Sequence, residues 1–263
     1  MARFFTIASG SSGNSSYVGS SEAGILVDAG ISCKGIMAGL LQSGVEPQQI
    51  HGIFITHEHI DHVRGLRVLL QKLSVPVYAS EEVLSFLLAQ GSVPPSTKLM
   101  PMTNKAVQVA DMEISCFDTP HDSVHSLGYR IHTSDDRLIG FTGDLGYISD
   151  DVQKGISGCD LILMESNYEH NMLMNGAYPY HLKKRICGQN GHLSNEDCSS
   201  FLPQLVRCGT TRFVLAHLSK ENNSPELAYG AAIAGLNEQK MTESQDFTLT
   251  VANRSTAGEL LVL

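Results

Sequence analysis

Nowhere in the chain of 263 residues do apolar side chains run uninterrupted for the roughly 18 positions a membrane-crossing helix needs, so no membrane span is expected. The opening MARFFTIASGSSGNSS carries one Arg and a very short apolar run, too little for a secretory signal. Six cysteines stand at 33, 116, 159, 187, 198 and 208, and no two form a C-x-x-C pair. A chain this long without an export signal is expected to keep them reduced, as a cytoplasmic protein would. Positive charge is scarce as well: 18 Lys and Arg against 27 Asp and Glu, a formal net charge of −9. That argues against broad adhesion to nucleic acid, which depends on surface Lys and Arg. It does not exclude a nuclease, because two divalent cations would concentrate positive charge in one cleft. No low-complexity tract, charge block or Pro/Gly-rich linker interrupts the sequence, so residues 1–263 are expected to form a single domain.

What is present alternates between two periodicities. Apolar stretches bounded by Gly, Asp and Ser read as strands: RFFTIAS, AGILVDAG, GIFITH, VPVYAS, MEISCFDT, LGYRIHT, RLIGFTGD, DLILMES, TRFVLAH, DFTLTVAN and ELLVL. LGYRIHT and RLIGFTGD are separated by SDD, which predicts a hairpin. Helical patterns lie between them. DHVRGLRVLLQKL puts Val63, Leu66, Leu69, Leu70 and Leu73 on one face. SEEVLSFLLAQG opens on a Ser suited to capping a helix, LSNEDCSSFLPQLVRCG offers Ser194 as its cap, and SPELAYGAAIAGLNEQK has Ser-Pro at its start. The expected class is α/β, with layered sheets covered by helices.

FITHEHIDHVRGL places three histidines and an aspartate within six positions, directly behind an apolar strand. His57 and His59 can turn toward one point as the chain leaves the sheet, and Asp61 and His62 follow at once. Imidazole and carboxylate are ligands that zinc, iron and manganese share. Four such side chains in so short a stretch exceed what one tetrahedral ion needs, which suggests two ions side by side. Further ligands are expected at other strand ends, where α/β sites collect: His121, Asp144 and His217. Asp28, in AGILVDAG, is expected to be a structural turn residue or a group that orients a ligand.

This ordered set, H-x-H-x-D-H and then His121, Asp144 and His217, resembles the metallo-β-lactamase superfamily along essentially the whole chain. The resemblance implies an αββα sandwich, two mixed sheets flanked by helices, with the site at one edge between the sheets. It implies that His57, His59 and His121 hold a first metal, that Asp61, His62 and His217 hold a second, and that Asp144 bridges them. His59 fits the hydrolases, because oxygen-reducing di-iron members carry a carboxylate at that place.

Two ions roughly 3.5–4 Å apart can hold a bridging hydroxide for attack at phosphorus. The same nucleophile suits a thioester or lactone carbonyl, so the ligands alone do not choose the substrate. Three polar stretches bear on the choice. ASGSSGNSS, with Ser11 and Asn14, offers N–H and hydroxyl donors for phosphate oxygens. GHLSN sets His192 and Ser194 at a helix start. LAHLSKENNSP extends from His217 to Lys220 and Asn222. His192 is a candidate phosphate contact or proton donor, with Asp61 and Asp144 as the other catalytic candidates. HLKKRI is the best local basic cluster, Arg64 and Arg67 are further candidates for contacts to a nucleic-acid backbone, and Glu165 and Asn167 are candidates for orienting ligands or substrate.

GSSGNS, THEHIDH, PHDSVHSLGY, TGDLG, ESNYEHNML, YPYHLKKRI, GHLSN and LAHLSKENN together resemble the YycJ/WalJ-type subgroup. That resemblance implies a 5′-to-3′ DNA exonuclease linked to DNA repair. Asp144 and His217 are only 73 positions apart, too close to enclose the β-CASP domain of ribonuclease J-type enzymes. A small-molecule hydrolase, either a cyclic phosphodiesterase or a glyoxalase-type thioesterase, is the alternative, and a non-catalytic metal- or nucleic-acid-binding module is a third class. The sequence leaves the metal (Zn, Mn or Fe) and the oligomeric state open.

Overall fold

The computed structural model describes residues 1–103 and 105–263. In chain order they form β1 (Arg3–Ala8), β2 (Ser15–Gly19), β3 (Gly24–Val27), α1 (Cys33–Gln42), β4 (Ile50–Phe54), α2 (Ile60–Val63), α3 (Leu66–Leu70), β5 (Val77–Ala79) and α4 (Glu81–Ala89). There follow β6 (Leu99–Pro101), β7 (Val107–Val109), β8 (Met112–Asp118), β9 (Leu127–His132), β10 (Leu138–Phe141), α5 (Asp150–Ile156) and β11 (Leu161–Glu165). The chain ends with α6 (His170–Asn175), α7 (Tyr180–Ile186), α8 (Asn195–Arg207), β12 (Arg212–Ala216), α9 (Pro225–Glu238), β13 (Thr248–Val251) and β14 (Leu261–Val262).

Two sheets result, ordered β14-β1-β2-β3-β4-β5-β6 and β13-β12-β11-β10-β9-β8-β7. Each is mixed: β14, β1, β2 and β3 pair antiparallel, while β3 to β6 pair parallel. The second sheet repeats the division, with β7 to β10 antiparallel and β10 to β13 parallel. The β9–β10 hairpin forms as expected, with His132 opposite Leu138.

Three apolar cores define the layers. Alternation along the strands sends one set of side chains outward and the other inward. Ile7, Leu26, Ile53 and Val77 pack with Ile36 and Leu40 of α1 and with Val83 and Leu87 of α4. Phe4, Ile25, Phe54, Tyr129, Phe141 and Leu163 fill the space between the sheets. Ile162, Phe213 and Leu249 pack under α5, α8 and α9. Phe54 stacks on Tyr78 at 4.4 Å and meets Tyr129 of the opposite sheet edge-on at 5.4 Å. The architecture is the αββα sandwich.

One expected element is broken. The apolar face from Val63 to Leu73 is shared by two short helices, α2 and α3, which part at Gly65. A Cβ there would overlap the carbonyl oxygen of Ile31, so the chain passes too close to the β3–α1 connection for one straight helix. β2 was not legible as a separate strand, since SSYVG runs directly out of the Gly/Ser loop.

Candidate metal centre

Several strands of both sheets finish at one edge of the sandwich, and the residues just past their ends converge there. His57 follows β4, His121 follows β8, Asp144 follows β10, Glu165 ends β11 and His217 follows β12. His59 caps the start of α2, which carries Asp61 and His62. Asp28 and His217, each directly past a strand, have φ of 63° and 55°. This left-handed conformation costs a non-glycine residue roughly 1 kcal/mol or more and is held only where the surroundings over-determine it. Here they do. His217 N–H donates to Ser9 Oγ (2.8 Å), and Asp28 takes the Thr56 N–H (2.9 Å) and hydroxyl.

The ring nitrogens divide into those fixed by the protein and those facing the centre. His121 Nδ1 donates to the Gly191 carbonyl (2.8 Å), so Nε2 presents a lone pair, 3.3 Å from His59 Nδ1. The Thr56 hydroxyl gives its proton to Asp28, so His57 Nδ1 donates to Thr56 Oγ1 (3.1 Å). His57 Nε2 is then left buried with no partner among the described residues. An orphaned buried nitrogen is costly unless something outside the protein's own hydrogen bonds occupies it. Burial holds the His57 imidazole well below its usual pKa and so neutral, as a metal ligand must be.

On the other side, His62 Nδ1 lies 2.7 Å from Asp28 Oδ2, and its Nε2 is 3.5 Å from Asp144 and 3.7 Å from Asp61. His217 places Nδ1 2.8 Å from Glu165 Oε1 and Nε2 3.3 Å from Asp61. Burial opposes charge on both rings, but Asp28 and Asp144 hold His62 well above its ordinary pKa. Asp144, Asp61 and Glu165 push His217 up to about 10. Burial disfavours the Asp144 carboxylate too, yet His217 and His62 keep it well below the usual carboxylate range. Protons thus sit where a cation would be compensated by carboxylates.

His57, His59 and His121 bring ligand atoms within 4.8 Å of one another, as do Asp61, His62, Asp144 and His217, and Asp144, Glu165, His192 and His217. The donor set fits divalent cations: neutral imidazole lone pairs on one flank, carboxylates on the other.

Glu165 is the residue whose weight the sequence least conveyed. Fully buried, it accepts from His192 Nδ1 and His217 Nδ1 at Oε1 (2.8 Å each) and from the Leu145 and Leu193 N–H groups at Oε2. Asn167 braces His217 from the backbone side, its Nδ2 donating to the His217 carbonyl (2.8 Å).

The polar candidates around the centre are placed less openly. Asn14 is buried; its amide bonds Gly10 in both directions and its N–H donates to the Asp61 carbonyl (2.7 Å). Ser194 Oγ caps α8. Asn222 is buried, with Nδ2 unpartnered among the described residues. Ser11 and Lys220 are exposed. Arg64 donates to the Ser12 carbonyl and Arg67 to that of Gly91, so both tie loops together.

Residues 24–218 match the Beta-lactamase superfamily domain. Exodeoxyribonuclease YycJ of Bacillus anthracis is 37% identical over 228 residues, covering 86% of this chain and 85% of that one. The chain belongs to the metallo-β-lactamase superfamily, among its YycJ-type members. Exodeoxyribonuclease WalJ of Streptococcus pneumoniae serotype 2 (strain D39) is 35% identical over 98% of this chain and 97% of its own. Among solved structures, the metallo-β-lactamase fold protein YhfI of Bacillus subtilis superposes with a TM-score of 0.72 at 15% identity, over 98% of each chain. Zn²⁺-bound PqqB from Methylobacterium extorquens gives 0.73 at 15% identity, over 98% of this chain and 99% of that one. These two likenesses concern the fold.

Proposed function

We propose that this YycJ-type chain is a metal-dependent exonuclease that hydrolyses DNA phosphodiesters from the 5′ end. The observation that carries the reading is the gathering of His57, His59 and His121, and beside them of Asp61, His62, Asp144 and His217, into two neighbouring donor groups, with Asp144 3.9 Å from His57 and 3.8 Å from His121. The names of the two exodeoxyribonuclease relatives, matched over most of their lengths, supply the substrate class. Nothing in those relatives favours a cyclic phosphodiesterase or thioesterase.

In this reading His57, His59 and His121 would hold one divalent ion and Asp61, His62 and His217 a second, with Asp144, whose Oδ2 is 3.9 Å from His57 and 3.5 Å from His62, available to both. Zinc, manganese and iron all suit the donors. Such ions supply Lewis acidity and make water a nucleophile at neutral pH. The protein's part is to position and to move protons. Burial opposes charge on His192, but Glu165, 2.8 Å from Nδ1, raises its pKa and so favours the protonated ring. When the ring is protonated, its Nε2–H can serve the leaving oxygen. The separation of Asp144 and His217 by α5 to α8, β11 and β12 alone supports one domain without a β-CASP insertion. No helix among the described residues is long and apolar enough to cross a membrane. We place the protein in the cytoplasm, in DNA repair, by its likeness to the subgroup.

The test is incubation of Mn²⁺- and, separately, Zn²⁺-loaded protein with single- and double-stranded DNA and RNA labelled at either end, with Asp144→Ala as control. Release of a 5′-labelled mononucleotide by the wild type alone is expected. Failure to degrade any oligonucleotide with metal bound would overturn the nuclease assignment.

A further inference from the structure

On the helix that leads into His192, positive charge and an exposed aromatic ring coincide. α7 reads YHLKKRI and has no acidic residue, in a chain with nine more acidic than basic groups. Its three cations are placed differently. Arg185 pairs with Asp122, whose Oδ1 is 3.5 Å from His121 Nε2. Lys183 Nζ donates to the Met174 and Gly176 carbonyls at 2.7 Å, which pins α7 to the end of α6. Lys184 lies with its ammonium 5.3 Å from the centre of the Tyr180 ring, and that ring is 66% exposed.

The far end of α7 is built into the centre. The His192 N–H donates to the Ile186 carbonyl (2.8 Å), and the Gly191 carbonyl fixes His121. The ring and ammonium are therefore held at a set distance from the groups that would act on a phosphodiester.

We infer that Tyr180 and Lys184 form a platform for the single DNA strand under digestion, with a base stacked on the Tyr180 ring and the adjoining phosphate drawn to Lys184. This rests on the nuclease reading above. An aromatic face beside an isolated cation is the arrangement that grips single strands without regard to sequence, because every unpaired base offers a π-face. A duplex hides those faces. The overall negative charge of the chain also confines strand binding to such local positive ground, next to the centre.

The test is anisotropy of a fluorescent phosphorothioate oligothymidylate, chosen because it resists hydrolysis, with the full-length, metal-loaded protein. Tyr180→Ala is expected to weaken binding roughly tenfold, and Tyr180→Trp to restore it. Lys184→Ala should reduce the salt slope of binding by about one. Leu41→Ala, an exposed apolar change on α1, should leave binding unaltered. Equal affinity for wild type and Tyr180→Ala, with strand digestion intact, overturns the platform and leaves the nuclease reading standing. Tyr180-dependent binding of a strand that the wild type never digests supports the platform and overturns the nuclease reading. If Tyr180→Ala instead loses affinity for phosphatidylglycerol vesicles while strand binding is unchanged, the surface is a membrane contact and the inference fails.

Discussion

The two flanks of the histidine cluster share a ligand type and differ in everything around it. His57 and His121 are set by a threonine hydroxyl and a backbone carbonyl, and burial keeps both below the ordinary pKa of an imidazole. His62 and His217 are set by the carboxylates of Asp28 and Glu165, which hold both above it. One flank offers lone pairs that are already free, and the other offers lone pairs that must first be cleared of protons. Neighbours of a ligand, more than the ligand itself, decide how a cation is taken up.

The largest effect should come from removing a ligand altogether. Asp144→Ala or His59→Ala is expected to abolish turnover while far-ultraviolet circular dichroism stays that of the wild type; near-normal rates in either would break the assignment. Chelation should abolish activity and lower the melting temperature, since cations that bind only the folded chain stabilise it, and readdition should restore both. Next come the supports. Asp28→Asn should weaken cation affinity about 10- to 100-fold, whereas Thr56→Val, which leaves His57 its burial, should cost less. Titration of each variant with Zn²⁺ against a chromophoric chelator measures the difference, and equal losses would erase the contrast.

pH sharpens it further. His217 carries a proton at neutral pH because its folded value is raised, so its cation affinity should fall about tenfold for each unit of acidification. His57 and His121, held below the ordinary imidazole value by burial, should change little over the same range. Calorimetry in buffers of different ionisation enthalpy would count the protons released, and a count of zero would contradict the raised value. The smallest effect lies outside the centre. His125 sits between Asp118 and Glu82, 2.9 Å from each, and its pKa is raised despite the opposing effect of burial. A raised folded value means stability present below the unfolded pKa and lost as pH climbs through the folded one. His125→Gln should therefore lower the melting temperature slightly in mildly acidic solution and not at alkaline pH.

Much of this was legible in the sequence because the chemistry is local. Four donors behind one strand, and single donors closing three others, can be read from periodicity and position alone. The strands were legible for the same reason, and the α2–α3 break was not, since Gly65 matters only through the Ile31 carbonyl brought against it by the fold. Glu165 shows the limit most clearly. The sequence offers Glu165 only as one candidate among several for orienting ligands or substrate, and its weight emerges when His192 and His217, 27 and 52 positions away, meet the same oxygen. Asn14 and Ser194 show the converse: a side chain suited to phosphate is equally suited to a turn or a helix cap, and here the hydrogen bonds go to the protein.

Among the described residues, the apolar layers of the sandwich contain none of the candidate donors; those stand at strand ends and on the segments that follow them. Such a division of labour makes the scaffold a standing socket. Exposed positions on the segments outside those layers can be recharged without disturbing the packing that aims the candidate donors at the strand ends. Variation in what is gripped is then cheap for evolution, while variation in how the bond is broken is not.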